Sequence, residues 1–391
     1  MPAPIPSGDF GEDHAGDCYP EDGTIVSENL IETAVAPPAG GTTVVAYMID
    51  IHAHLHDVAF DADRDEVIGR ALGAGVTRII TIGTDIEESR KVVACADRYE
   101  GVYASVGIHP HFFNEVIEKE FPISNFQIPN KIQNSNFKNE KPGSRVKPGM
   151  TSLKEWMSDL KQIAQSSRKL VAIGECGLDY FVREEEGGEI SGRTAQKAER
   201  PLLMETADAP PAGGTTAVSG EQKEIQKEGF LAQIELAQEL NLPLIIHCRP
   251  SKGTMDAYED MFDILSDQDS RFQIPDSRFI LHCYMGDTEV TRKFLELPNV
   301  LFSFTGNITY PTKKVLIGSK NDLTEVVKMI PIERILAETD CPYLAPQAYR
   351  GKRNEPAFVV SIVGKIAEIK GISDEEAGRV TTASAKEIFG I

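Results

Sequence analysis

Eight short runs rich in apolar and β-branched residues punctuate the chain. They are MIDIH (48–52), VTRIITIGT (76–84), GVYASVGIH (101–109), LVAIGECGLD (170–179), LPLIIHCR (242–249), RFILHCYMG (278–286), VLFSFTGN (300–307) and RILAETDCP (334–342). Runs of this kind read as strands. Between them the apolar residues shift to helical spacing, most clearly in EIQKEGFLAQIELAQELN (224–241). Eight apolar strands alternating with helices predict an α/β fold, a (β/α)8 TIM barrel. A doubly wound open sheet is the alternative, but it would not gather the polar residues that end these strands.

Three stretches break the pattern. Residues 1–46 hold eight acidic side chains, no Lys or Arg, and many Pro and Gly. A segment of that composition buries too little apolar surface to offset its ordering, so it is expected to be an acidic disordered tail. Its end, ETAVAPPAGGTT (Glu32–Thr43), returns almost unchanged as ETADAPPAGGTT (Glu205–Thr216). Two copies at so long a period do not make a repeat fold. They mark low-complexity sequence, and two insertions are expected, at about 117–150 and 183–220. The folded domain then spans 48–391.

Bulk properties narrow the function. A net charge of −20 argues against gripping nucleic acid over a broad basic face, but allows a small cleft in which bound metal ions supply the positive charge. Six widely spaced cysteines without a CxxC pair suit reduced thiols in a cytoplasmic protein. Neither a membrane-spanning run nor a signal peptide is expected.

The chemistry sits where the strands end. His52 and His54 close the first, His109 and His111 follow the third, and Glu175 lies late in the fourth. His247 closes the fifth, His282 lies in the sixth, and Asp340 ends the eighth. Barrel enzymes build their sites from the C-terminal ends of the strands, so these residues should converge on one mouth. On a regular strand, alternation would also bring Asp50 to the face of His52 and His54, with His56 continuing the series. A lone imidazole in an apolar strand is more often a satisfied core residue, but the joint pattern points to divalent metal ligation. The set exceeds the needs of one tetrahedral ion, and Glu175 is placed to bridge two ions about 3.5–4 Å apart, as in phosphoester-cleaving sites. Arg249, two residues after His247, and the loop YRGKRNEP (349–356), with Arg350, Lys352, Arg353 and Asn354, offer donors for a phosphate.

HAHL (52–55), GIHPH (107–111), GECGLDY (174–180), IIHCR (245–249, within LPLIIHCR), HCYMG (282–286), ETDCPYLAP (338–346) and RGKRNEP (350–356) resemble, in order and spacing, the TatD family of metal-dependent hydrolases and deoxyribonucleases. The resemblance implies a barrel holding two divalent ions (Mg2+, Mn2+ or Zn2+) that cleaves DNA phosphodiesters, commonly as a 3′-to-5′ exonuclease. It implies that His52, His54 and Asp340 bind one ion, His247 and His282 the other, and that Glu175 bridges them. Asp340 would also orient or deprotonate the attacking water, while His109, His111, Arg249 and Arg353 handle the substrate backbone. Three positions depart from the family pattern: His56 stands where Asp is usual, Pro250 follows Arg249 in place of Asp, and Cys341 follows Asp340 in place of Ser.

Two other readings remain at this level. One is a different hydrolase on the same scaffold: an amidohydrolase, a lactonase or an aminoacyl-tRNA deacylase. The other is an inactive binding protein. DNA at the barrel mouth is the expected partner, with no membrane and no obligate protein partner.

Overall fold

The computed structural model describes residues 47–114, 153–182, 218–266, 278–311 and 323–391. The expected tail and the first insertion lie outside the described residues, as does 183–217 of the second. The described chain resumes at the end of that second stretch. Val218 is buried, and Ser219 caps a helix beginning at Gly220, its hydroxyl accepting from the Gln222 amide while the Gln222 side chain accepts from the Ser219 amide. This capping box fixes the start of the helix ahead of the apolar periodicity that marked it in the sequence.

The strands are β1 (Met48–Ala53), β2 (Val76–Ile82), β3 (Val102–Val106), β4 (Leu170–Asp179), β5 (Leu244–Arg249), β6 (Phe279–Leu281), β7 (Val300–Phe304) and β8 (Ile335–Ala337). All seven neighbouring pairs are parallel and follow chain order. A parallel bridge between Ala53 and Cys341 joins the last strand's extension to the first, so the sheet curls into a nearly closed barrel. The helices are α1 (Arg64–Gly73), α2 (Ile86–Arg98), α3 (Pro110–Asn114), α4 (Leu153–Ala164) and α5 (Gly220–Leu240), then α6 (Asp256–Ser266), α7 (Thr288–Leu295), α8 (Leu323–Met329), α9 (Val359–Lys370) and α10 (Asp374–Phe389). The architecture is the (β/α)8 barrel that the alternating pattern predicts.

Two apolar layers hold it. The larger lies between strands and helices, with Tyr258, Tyr284, Phe294, Phe302 and Phe304 packed at its centre. The smaller joins Ile49, Ile51, Ile80, Ile82, Ile245 and Ile280 to Ala385, Ile388 and Phe389 of α10. The Thr382 hydroxyl of α10 donates to the Tyr47 carbonyl at 2.7 Å, just ahead of β1. The last helix therefore packs at the strands' N-terminal end and leaves the opposite end as the mouth. Strands β6 and β8 stop sooner than their apolar runs, so His282 and Asp340 sit in the turns beyond them. Cys283 and Asp340, at φ 44° and 56°, mark where the chain leaves extended geometry. No helix among the described residues is long and apolar enough to cross a membrane.

Candidate metal centre

Glu175 occupies the middle of the mouth because β4 is bent there. Gly174 and Gly177 adopt φ of 148° and 141°, and a Cβ at either would come within 2.4 Å of the Ile245 carbonyl or 2.0 Å of the His247 carbonyl. Only glycine permits so close an approach of β4 to β5, and the β4–β5 register shifts between Ile173 and Cys176. The carboxylate that results is nearly buried and faces two ways. Its Oε2 lies 3.5 Å from His52 Nε2. Its Oε1 lies 2.7 Å from His247 Nδ1, 3.6 Å from His109 Nε2 and 3.7 Å from His282 Nε2.

Asp340 completes the β1 side, with Oδ1 3.6 Å from His52 Nε2 and 3.4 Å from His54 Nε2. It is carried there by backbone pairing: the Asp340 amide donates to the His52 carbonyl at 2.8 Å, and the His54 amide to that of Cys341 at 2.8 Å. His52 and His282 stack with ring centroids 3.6 Å apart. Six side chains from β1 and the residue just past it, β4, β5 and the turns after β6 and β8 thus come together: His52, His54, Glu175, His247, His282 and Asp340.

Which ring nitrogen faces inward is set from behind. His54 Nδ1 lies 3.1 Å from the Ile82 carbonyl, leaving Nε2 for Asp340. His282 Nδ1 lies 2.8 Å from Glu338 Oε1, an ion-pair contact without hydrogen-bond alignment, and Nε2 faces Glu175. His247 is reversed: Nε2 lies 3.1 Å from Asp179 Oδ2, so Nδ1 meets Glu175. Backbone and carboxylate partners of this kind fix the tautomer of metal-binding imidazoles. Asp179 and Glu338 lie in the GECGLDY and ETDCPYLAP motifs, yet sequence reasoning gave them no task. The signal was a second carboxylate within the same motif as a ligand.

Electrostatics agree with this division. Burial alone would raise the Glu175 pKa, but His109, His247, His52 and His282 outweigh it and hold the carboxyl well below its ordinary range. Burial works against protonated His54 and His247, yet their carboxylate neighbours lift them to about 9 and about 10. At His109 burial and then His247 outweigh the opposing pull of Glu175 and Asp179 and lower the pKa to about 3.

The residues fit divalent ions. Donor atoms of His52, His54 and Glu175 lie within 4.8 Å of one another, as do those of His109, Glu175 and His247. Neither ring nitrogen of the fully buried His52 makes a hydrogen bond, a costly state for a polar ring that a cation ligated at Nε2 would relieve in part. Asp50 takes another role than strand alternation suggests. The β1–β2 register is irregular between Asp50 and Ala53, and Asp50 accepts from the Thr339 amide at 2.8 Å and the Thr339 hydroxyl at 2.5 Å. His56 lies past the end of β1, with Nε2 3.7 Å from Glu88 Oε2.

The residues expected to meet substrate scatter more. His109 lines the cluster, and half-exposed His111 reaches Asp179 Oδ2 at 2.9 Å. Arg249 is exposed over the Phe181 ring at 3.9 Å, and Arg350 over Tyr310 at 4.2 Å. Arg353 is tied to Asp63 at 2.6 Å and lies over Phe60, at the start of α1. Asn354 corrects the expectation of a phosphate donor: its amide is buried and donates to the carbonyls of Thr339 at 2.8 Å and Tyr343 at 2.5 Å. It pins the loop that carries Asp340.

Comparison with known proteins places this centre in context. Residues 49–390 match the family model of TatD related DNase. An uncharacterized metal-dependent hydrolase of Bacillus subtilis (strain 168), YabD, is 32% identical over 88% of this chain and 99% of its own length. A protein of Erwinia billingiae named 3′-5′ ssDNA/RNA exonuclease TatD is 28% identical over 88% of this chain and 98% of its own. The crystal structure of YjjV, a TatD homologue from Escherichia coli K12, superposes with a TM-score of 0.60 over 89% of this chain and 99% of its own, at 22% identity.

Proposed function

The chain belongs to the TatD related DNase family, and from that premise we propose that it is a metal-dependent phosphodiesterase that removes nucleotides from DNA ends, 3′ to 5′, with two divalent ions at its mouth. One observation carries the two-ion reading. Glu175 turns Oε2 toward His52 and Oε1 toward His247 and His282, as a bridging carboxylate must. His52, His54, Glu175 and Asp340 would hold one ion; Glu175, His247 and His282 would hold the other. When bound, such ions supply Lewis acidity toward phosphate oxygens and make water ionisable near neutral pH.

The protein's own groups divide the remaining work. Asp340 Oδ1, between the Nε2 atoms of His52 and His54, accepts the proton of the attacking water. His109, kept neutral by burial and by His247, serves as an uncharged donor or acceptor beside Glu175. His111 and Arg249 stand further out and bind the phosphodiester backbone. The five described cysteines are all unpaired, which suits a reducing, cytoplasmic setting.

The test is a substrate panel on chelator-stripped protein. Adding Mg2+ or Mn2+ should restore nucleotide release from single- or double-stranded DNA. Metal-restored cleavage of ester or amide substrates with no action on DNA would replace this reading with that of a different hydrolase.

A further inference from the structure

Two exposed arginines at the mouth have rings, not carboxylates, beneath them. Other arginines near this end are held by acids: Arg64 by Asp61, Arg70 by Glu355 and Arg353 by Asp63. Arg249, at the end of β5, instead lies 3.9 Å over Phe181, just past β4. Arg350, in the loop after β8, lies 4.2 Å over Tyr310, in the loop after β7. The two pairs stand on either side of β6 and its His282.

Both are tied to the metal cluster. The Phe181 amide donates to Asp179 Oδ1 at 2.9 Å, and the other oxygen of that carboxylate holds His247. The Tyr310 amide donates to the Asn307 carbonyl at 3.1 Å, and the Asn307 side-chain amide reaches Cys283 Sγ, next to His282, at 3.7 Å. Two large apolar side chains are exposed at this end: Met285 at 40%, and Tyr343 at 41% with its ring 6.1 Å from that of His54.

Resting on the phosphodiesterase reading, we propose that Arg249–Phe181 and Arg350–Tyr310 are two stacking platforms that seat unpaired nucleobases on either side of the cleaved phosphate. A planar guanidinium seated over a ring can offer its outer face to a base and its N–H groups to a backbone oxygen. In a chain of net charge −20, a polyanion must be held by such local contacts and not by a broad basic field. A base inside a duplex has both faces covered by its neighbours, so these platforms select frayed or single strands.

The experiment uses the full chain with Mn2+ and three substrates: a single-stranded oligodeoxynucleotide, an abasic strand of the same length, and bis(p-nitrophenyl) phosphate. The variants are Phe181→Leu, Tyr310→Leu and Arg350→Lys; the lysine keeps the charge but loses the planar face. Each should raise KM for the oligonucleotide about fivefold or more, the lower end of what one lost base stack costs. The abasic strand should respond less, so that the preference for bases shrinks. Activity on the small diester reports whether each variant retains its metal centre. Unchanged oligonucleotide KM, or equal losses on all three substrates, would overturn the platforms alone. If the wild type cleaves no phosphodiester at all, the underlying functional reading fails and the platforms fall with it.

Discussion

Asp179 Oδ2 lies 3.1 Å from His247 Nε2, and this contact turns the opposite nitrogen, Nδ1, to within 2.7 Å of Glu175. Asp179 is fully buried, and the same oxygen lies 2.9 Å from His111 Nε2. An acceptor there keeps the proton on Nε2 and the lone pair on Nδ1. Asp179→Asn can turn its amide toward His247, donate to Nε2 and move the proton to Nδ1. The expected result is Mn2+ affinity weakened on the order of 10- to 100-fold, read by titration calorimetry, with the protein still folded. Affinity within twofold of wild type would remove Asp179 from this role.

Glu175 faces both halves of the cluster, so losing its charge should affect both. Glu175→Gln is expected to lower kcat/KM by several orders of magnitude. It should also abolish metal-dependent stabilisation. For the wild type, Mn2+ at a hundred times its Kd stabilises the fold by about 2.7 kcal/mol, visible as a rise in Tm. A variant that keeps that rise would show that the ions bind without the bridge.

The strands and the six clustered side chains were legible because strand ends obey simple rules: apolar runs mark strands, and C-terminal ends mark the site. Ring orientation was not. Nothing in IIHCR tells that His247 offers Nδ1 while His54 offers Nε2, since the choice is made by Asp179 and by the Ile82 carbonyl. Asp179 and Glu338 escaped notice because a carboxylate behind a ligand and a carboxylate that ligates look alike in sequence. Within RGKRNEP, the partners of two residues could not be read from the sequence. The partner of Arg353 is Asp63, 290 residues away in the chain, and sequence cannot separate a buried Asn354 from an exposed one.

Asn354 and Arg353 therefore call for opposite expectations despite being adjacent. Removing the Asn354 amide leaves the carbonyls of Thr339 and Tyr343 without a donor, one of them fully buried, so Asn354→Ala should cost about 1–3 kcal/mol in urea unfolding. Arg353→Ala breaks a surface pair with Asp63 and should cost about 0–1 kcal/mol. If Asn354→Ala instead kept its stability and lost only DNA affinity, Asn354 would return to the substrate site.

The clamp between α1 and the loop after β8 should leave a signature in acid. Asp63 accepts from Arg353 and from Arg70, and Arg70 also binds Glu355. The hydrogen bond from Arg353, followed by that from Arg70 and only partly opposed by burial, holds the Asp63 pKa down to about 2 against an ordinary 3.8. A carboxyl depressed in the folded state lends stability that is complete above its unfolded pKa and is lost as pH falls toward the folded one. The wild type should therefore lose this contribution between about pH 4 and pH 2, and less visibly in high salt, which screens exposed charges. Asp63→Asn lacks the titrating group, so its Tm should fall less steeply over that window. Melting curves from pH 5 to pH 2 check this, and identical slopes for the two proteins would mean that the clamp is not what titrates.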